Sequence, residues 1–411
     1  MCYNNEKYGE KKTLNILFVA DVSIHNIIGG AERVLWEQTT RLARRGHQVH
    51  ILTRRLPTHA ADHGHIHNVQ EWRYDVNNSN DITFLVSSIT HCQKLFKEIS
   101  KKTSFELINF HQPFSAFAVN LLYESKNIPK VYTCHSLSFE EYQTRHANNS
   151  LLKAPFFHLN VILRKCLEKF SLAQSQKIIV LSGFTRDKLM NAHNVPREKI
   201  MIIPGAADLE YFRPPPDHTP PDPSVLFTVR NLVPRMGLEN LVKAMSFLQK
   251  KGASLKLIIG GDGELKERLQ QLIQELNLQS IVTLCGFLSK ENLLRHYQTA
   301  GFFILPTVAL EGFGLVTVEA MACGTPVLGT PIGGTKEILN KFDPGFLFKD
   351  TSPESMAELI WEKHKYYRDR GQAYQELRQK CRKFVVENYS WDINIKQTEK
   401  VFRECAGSAG K

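Results

Sequence analysis

Short apolar runs alternate along this chain with longer stretches in which apolar residues recur every three or four positions. Leu14 to Ala20 (LNILFVA) is an unbroken apolar run, the pattern of a parallel strand buried on both faces. HQVHILTR, FELINFHQP, VYTCHS and KIIVLS repeat that pattern further on. Between them, helical spacing covers Ala31 to Arg45, Ile89 to Lys101 and FTRDKLMNAH. The series then restarts with VLFTV, LKLIIG, IVTLCGF, GFFIL and PVLGT. Helical stretches at Leu265–Leu276 and Leu293–Thr299 interleave with these, and a last one runs from Ser390 to Cys405. This alternation predicts an α/β protein with doubly wound parallel sheets. A chain of 411 residues is too long for one core, so two domains are expected. PPPDHTPPDP, Pro214 to Pro223, reads as a stiff linker. The first domain is expected over 1–213 and the second over 224–388, with the linker at 214–223.

Composition changes this picture little. No apolar run approaches the roughly 20 residues of a membrane span. The polar start MCYNNEKYGEKKT and the short ILFVA behind it do not make a signal peptide, so cytoplasm is the expected compartment. The eight cysteines form no CxxC pair and no metal spacing, and we read them as reduced. The net charge of +11 fits an anionic partner. No nucleic-acid-binding module or dense basic helix is present, which favours a phosphate-bearing substrate, with contact to a membrane surface as a further candidate. Lys153 to Lys169 combines APFFHLNVIL with Arg164, Lys165 and Lys169. We weigh a core-facing helix there above a surface meeting membrane or a lipid-linked acceptor. The histidines at 59, 63, 65 and 67 fall in a stretch, 57–80, that reads as a solvated loop rather than a metal site, because no carboxylate cluster or cysteine accompanies them.

Candidate chemistry concentrates in Leu305 to Thr330, LPTVALEGFGLVTVEAMACGTPVLGT. It reads as strand end, loop, helix from about Leu315, and a second strand. Gly312 and Gly314 would let the backbone approach a ligand closely. The first amides of the helix, at Leu315 and Val316, would favour an anion. Glu311 on the loop and Glu319 in the helix have seven residues between them, each able to accept from sugar hydroxyls. An anion flanked by two polyol readers suggests a nucleoside-diphosphate sugar. Helix-dipole preference alone accounts for one glutamate, not for the Gly-x-Gly run as well. Elsewhere, Gly29 and Gly30 precede the first helix, but the third glycine of a dinucleotide fingerprint is missing. His111 and His135 end successive strands, where open α/β sheets put ligands, and we favour a functional role for His111 more than for His135.

The Glu311–Glu319 segment resembles the motif of the family 4 glycosyltransferases, retaining enzymes of GT-B architecture. The resemblance implies two Rossmann-like doubly wound domains facing a central cleft, with the last helix, 389–411, crossing back onto the first domain. It implies that Glu311 contacts the donor sugar and Glu319 the ribose. Backbone at Gly312, Phe313, Gly314, Leu315 and Val316 would hold sugar and diphosphate. Gly29 and Gly30 match the family's first-strand loop near the diphosphate, and His111-Gln112-Pro113 matches a His-x-Pro facing the donor sugar. Gly286 and Phe287 would lie by the base, and Gly263 belongs to a donor-side glycine loop. His135 is placed on the acceptor side. Pro204-Gly205, Asp208 and Phe212 resemble the family's interdomain exit.

One departure matters. The family carries Gly-Arg at the first strand end of the second domain and a Lys five residues after that Arg. Here those two cation places hold Asn231 and Met236, and Arg230 and Arg235 each sit one residue earlier. We expect the two arginines to serve the leaving diphosphate, Arg235 foremost. The implied activity is retaining transfer of a sugar from a nucleoside-diphosphate sugar to a saccharide, lipid-linked or small-molecule hydroxyl. No cofactor is expected, nor a metal, since no Asp-x-Asp lies near the donor loops. A GT-B epimerase would need acid–base carboxylates in the first domain, and none stand out. An NAD-dependent oxidoreductase would need the full fingerprint. A non-catalytic nucleotide-sugar or glycan-binding scaffold would fit the missing Lys.

Overall fold

The computed structural model describes residues 13–25, 29–57, 59, 61–146, 154–216 and 221–408. The chain forms two compact units. One comprises Met1–Val180, Leu189–Met201 and Ile395–Lys411, the other Leu181–Lys188 and Ile202–Asn394.

The chain runs first through β1 (Asn15–Val19), α1 (Gly30–Arg44), β2 (Gln48–Arg54), β3 (His63–Ile66), β4 (Val69–Tyr74), α2 (Asp81–Lys102) and β5 (Leu107–Phe110). It continues through α3 (Pro113–Asn120), β6 (Lys130–Cys134), α4 (Ser138–His146), α5 (Ala154–Gln174), β7 (Lys177–Val180), α6 (Gly183–His193) and β8 (Ile200–Ile202). The strand order is β3-β4-β2-β1-β5-β6-β7-β8. β1 pairs in parallel with β2 on one side and β5 on the other, so the winding reverses there. Ligands bind open α/β sheets outside the strand C-termini at such a reversal. β1 supplies Ile16 to Val19 with no exposed surface, as its unbroken apolar run requires.

Asp222 opens β9 (Asp222–Val229), inside the stretch expected as linker. Then follow α7 (Leu238–Lys250), β10 (Lys256–Gly260), α8 (Lys266–Glu275), β11 (Val282–Gly286), α9 (Lys290–Thr299), β12 (Ala300–Leu305), α10 (Leu315–Ala322) and β13 (Val327–Gly329). α11 (Gly333–Phe342), α12 (Pro353–Arg368), α13 (Gly371–Asn388) and α14 (Trp391–Ser408) complete the chain. The order β11-β10-β9-β12-β13 reverses between β9 and β12, which pair in parallel. The core beneath is aromatic. Tyr297 packs against Phe212, Phe227 and Phe303 at centroid distances of 5.8, 5.6 and 5.4 Å. Such pairs add about 0.5–1.5 kcal/mol each beyond area burial. From Ile395 onward α14 belongs to the first unit, where Phe402 meets Phe18 at 6.0 Å.

Two expectations need correction, and a third holds on one side of its helix. The histidine-rich stretch is not a loop. His63–Ile66 and Val69–Tyr74 form an antiparallel hairpin. His67 and Asn68 take positive φ, 47° and 65°, in its two-residue turn. A turn of that kind matches strand twist, and edge strands tolerate polar residues. His59 is buried and bonded to Ser23. The helix expected from Ile89 begins eight residues earlier, at Asp81, because Asn80 caps it through Ile82 N and Thr83 N. α5 faces the core on one side, with Val161 of its first half packed against it. Leu167 and Leu172 are buried there, whereas Leu159 and Ile162 are 62% and 59% exposed. Lys153 lies outside the described residues.

Candidate functional site

In the second unit the site grows from the β12 end and the start of α10. Gly314 is the N-cap of α10 at φ 90°, and a Cβ there would run into Thr335 Oγ1. Glycine is therefore required for conformation and space alike. The amides of Leu315 and Val316 precede the helix's own bonds, and both residues are half-buried. The loop before the helix is pinned from outside. Gly334 N donates to Glu311 O at 2.9 Å, and Ser182 Oγ donates to Gly312 O at 2.5 Å. Phe313 is buried, with its ring 5.7 Å from Tyr389.

Glu319 lies in the second turn of α10 and is buried. Tyr297 donates its phenolic proton to Glu319 Oε2 at 3.2 Å. Burial, then the Glu319 charge, pushes the Tyr297 pKa well above its ordinary value, so the phenol stays a donor. Nothing in the sequence marked Tyr297. It is also fully buried in the core.

Arg230 follows β9 and Glu311 follows β12, on either side of the strand-order reversal. They form a buried ion pair. Arg230 Nη2 also donates to Thr307 Oγ1 at 3.1 Å and lies 2.8 Å from Met236 Sδ. Thr307 Oγ1 donates to Glu311 Oε2 at 2.9 Å. Arg235 Nη1 donates to Leu310 O at 3.1 Å, and Arg235 O accepts from Val308 N at 2.9 Å. Leu310, just before Glu311, has φ 56°, a left-handed conformation strained for leucine. Gly263 and Gly286 follow or end β10 and β11 with φ 152° and 70°, and Phe287 beside Gly286 is 75% exposed. Asn231 is exposed.

In the first unit, Gly29 caps α1 and its amide donates to Glu32 Oε2 at 3.1 Å. Gly30 is the first helical residue. The three residues before Gly29 lie outside the described residues. His111 follows β5 beside the reversal, its amide donating to Val19 O at 2.9 Å. Asn109 Nδ2 donates to Val131 O and Thr133 Oγ1 at 3.3 and 3.0 Å, so its Oδ1 accepts from His111 Nε2 at 2.7 Å. His111 Nδ1 therefore accepts from His135 Nε2 at 3.0 Å. His135 Nδ1 is left buried with no partner among the described residues. Burial, then His135, holds the His111 pKa well below the ordinary histidine value, and burial pulls that of His135 down to about 4. Asn109 is a residue the sequence reading missed. Among the described residues no three His, Cys, Asp or Glu side chains gather to hold a metal ion.

Two parallel doubly wound units, the second with a Gly-x-Gly loop opening a helix, define a GT-B protein. Residues 28–211 match the model of Glycosyltransferase Family 4, and residues 214–384 that of Glycosyl transferases group 1. The chain belongs to the family 4 glycosyltransferases. It is 26% identical to an uncharacterized glycosyltransferase of Methanocaldococcus jannaschii over 378 residues, 88% of this chain and 91% of that one. It is also 26% identical to one of the subunits of human phosphatidylinositol N-acetylglucosaminyltransferase, over 95% of this chain and 76% of that one. Among solved structures, sucrose-phosphate synthase from Thermosynechococcus elongatus superposes with a TM-score of 0.79 at 22% identity, covering 96% of this chain and 100% of that one.

Proposed function

We propose that this glycosyltransferase is retaining and metal-independent, and that it moves a sugar from a nucleoside-diphosphate sugar to a hydroxyl of a lipid-linked or saccharide acceptor. The observation that carries the reading is the second unit's loop. The helix-start amides of Leu315 and Val316 suit a diphosphate, Glu319 a ribose diol, and Glu311 the sugar hydroxyls. In the reaction the bond between the anomeric carbon and the diphosphate oxygen breaks, and its electron pair leaves with the diphosphate. The acceptor oxygen bonds to the anomeric carbon on the same face, and its proton passes to the departing phosphate oxygen. Preorganised amides at the helix start meet the charge as it grows.

A membrane-borne acceptor is supported by the outward stripe of α5. Leu159 and Ile162 are followed at helical spacing by exposed Lys165 and Lys169, a pattern suited to an anionic lipid surface. One relative is named for phosphatidylinositol. No helix among the described residues is long and apolar enough to cross a membrane.

Thermal shift with UDP-, GDP- and ADP-sugars selects the donor. A ligand at about a hundred times its dissociation constant adds ~2.7 kcal/mol. Release of nucleoside diphosphate, measured with and without phosphatidylinositol or inositol acceptors, then tests transfer. No donor-induced shift and no release with any of them would sink the reading.

A further inference from the structure

We propose that Arg230 is a positioning residue for Glu311, and that Met236 is its partner in that task rather than the remnant of a lost phosphate clamp. The proposal rests on the reading of Glu311 as the carboxylate that meets the donor sugar.

A guanidinium carries five N–H donors in a rigid fork. Here the two Nη2 hydrogens serve Glu311 Oε2 and Thr307 Oγ1, the latter at 3.1 Å, while Nε donates to Met236 Sδ at 3.2 Å, with Nη2 also 2.8 Å from that sulfur. The Thr307 hydroxyl accepts from the guanidinium and donates to Glu311 Oε2 at 2.9 Å. Both donors thus converge on one carboxylate oxygen. Among the described residues Oε1 forms no hydrogen bond, so it is left for a ligand hydroxyl. Arg230 and Glu311 are each only 8% exposed, so the guanidinium's orientation is fixed by burial as well as by bonding.

Met236 completes the arrangement. A thioether is a weak, uncharged acceptor that can lie against a guanidinium. A lysine at 236 would instead bring an ammonium within about 3 Å of it, a like-charge contact in a poorly solvated place. The arginine at 230 and the methionine at 236 therefore belong together. The cation that a shift of one residue removes from the diphosphate is used to hold the sugar-reading carboxylate.

The experiment is a double-mutant cycle of Arg230→Met and Glu311→Gln in the full chain. It is read by kcat and KM for the donor, by calorimetric binding of UDP, GDP and ADP, and by thermal melting. A positioning role predicts that Arg230→Met lowers kcat about a hundredfold, the scale of a misplaced reacting group. It leaves nucleoside-diphosphate affinity unchanged, and the double variant is no slower than the slower single. Arg230→Lys keeps the charge without the fork and recovers part of kcat, which guards against a mere failure to fold. Met236→Lys alone lowers kcat. Weaker diphosphate binding in Arg230→Met, or kcat losses that simply multiply in the double, would overturn the proposal and make Arg230 a phosphate ligand. If the parent itself neither binds a nucleoside diphosphate nor transfers sugar, the glycosyl-transfer reading fails. The Arg230–Glu311 link is then judged by melting alone, where additive losses refute it.

Discussion

His111 accepts a hydrogen bond from His135 across 3.0 Å, its other ring nitrogen being committed to Asn109 at 2.7 Å. This fixes one proton on each ring and leaves both rings neutral. It also makes the first unit sensitive to acid. Burial lowers the His135 pKa from its ordinary 6.5 to about 4. Below pH 6.5 the unfolded chain therefore binds a proton that the folded chain refuses. The stability is fully present above pH 6.5 and falls as pH drops toward 4, by roughly 3 kcal/mol in all and by roughly 1.4 kcal/mol at pH 5.5. His135→Gln should melt with a smaller difference between pH 7.5 and pH 5.5 than the parent. An equal difference in the two proteins would show that His135 does not titrate this way.

His111→Gln keeps a polar side chain beside Asn109 and should leave nucleoside-diphosphate affinity unchanged while transfer falls. The residue lies in the first unit, whereas the proposed diphosphate amides lie in the second. Calorimetry and turnover on the same preparation decide it. If transfer persists and only the melting temperature drops, His111 is a core histidine.

Tyr297 orients Glu319 from within an aromatic core. Tyr297→Phe preserves that packing and removes one donor. Nucleoside-diphosphate affinity should fall about fivefold, the scale of one hydrogen bond. Glu319→Ala should cost about ten- to a hundredfold, as expected for a charged acceptor. Titration of UDP, GDP and ADP into both variants tests the order. Unchanged affinity in Glu319→Ala would remove the ribose role.

The strands and the helix after Gly314 were legible because each apolar run or glycine has one cheap conformation. Leu315–Ala322 begins where the sequence places it, and Gly324 ends it at φ 79°. The hairpin at His63 was not legible, since an edge strand needs no apolar alternation. The Glu311 neighbourhood was half legible. Its glycines are local signals, but Thr307, Met236 and Arg230 meet only because β9 and β12 lie side by side. Tyr297 was invisible for the same reason, since its partner Glu319 comes from another element, whereas Asn109 is two residues from His111 and only its ties to Val131 and Thr133 are distant in sequence.

Glu311→Gln should slow transfer about a hundredfold while nucleoside-diphosphate binding holds, because the free diphosphate carries no sugar to read. It should also lower the melting temperature. Removing one charge of a buried pair typically costs about 3–5 kcal/mol, here by leaving the Arg230 guanidinium uncompensated. Normal turnover with the selected donor would exclude Glu311 from the chemistry.

Arg235 offers the sharpest choice between two roles. As a phosphate clamp it would act most strongly in the transition state, when the leaving group gains charge. As observed, its Nη1 holds the carbonyl of Leu310, and its own carbonyl receives Val308 N. Leu310 sits at φ 56°, a conformation costing about 1–3 kcal/mol for a residue with a side chain, and the next residue is Glu311. Arg235→Ala should therefore slow transfer under either role. Leu310→Gly separates them, because glycine adopts that φ without strain and needs less support. If Arg235 supports the loop, adding Leu310→Gly to Arg235→Ala recovers a large part of kcat and of the melting temperature. If Arg235 meets the diphosphate, the double variant stays as slow as Arg235→Ala and binds nucleoside diphosphate as weakly. Single-turnover rates and calorimetric affinities for the parent, both singles and the double distinguish the outcomes. We expect recovery, with Arg235 acting on the donor through the loop that carries Glu311.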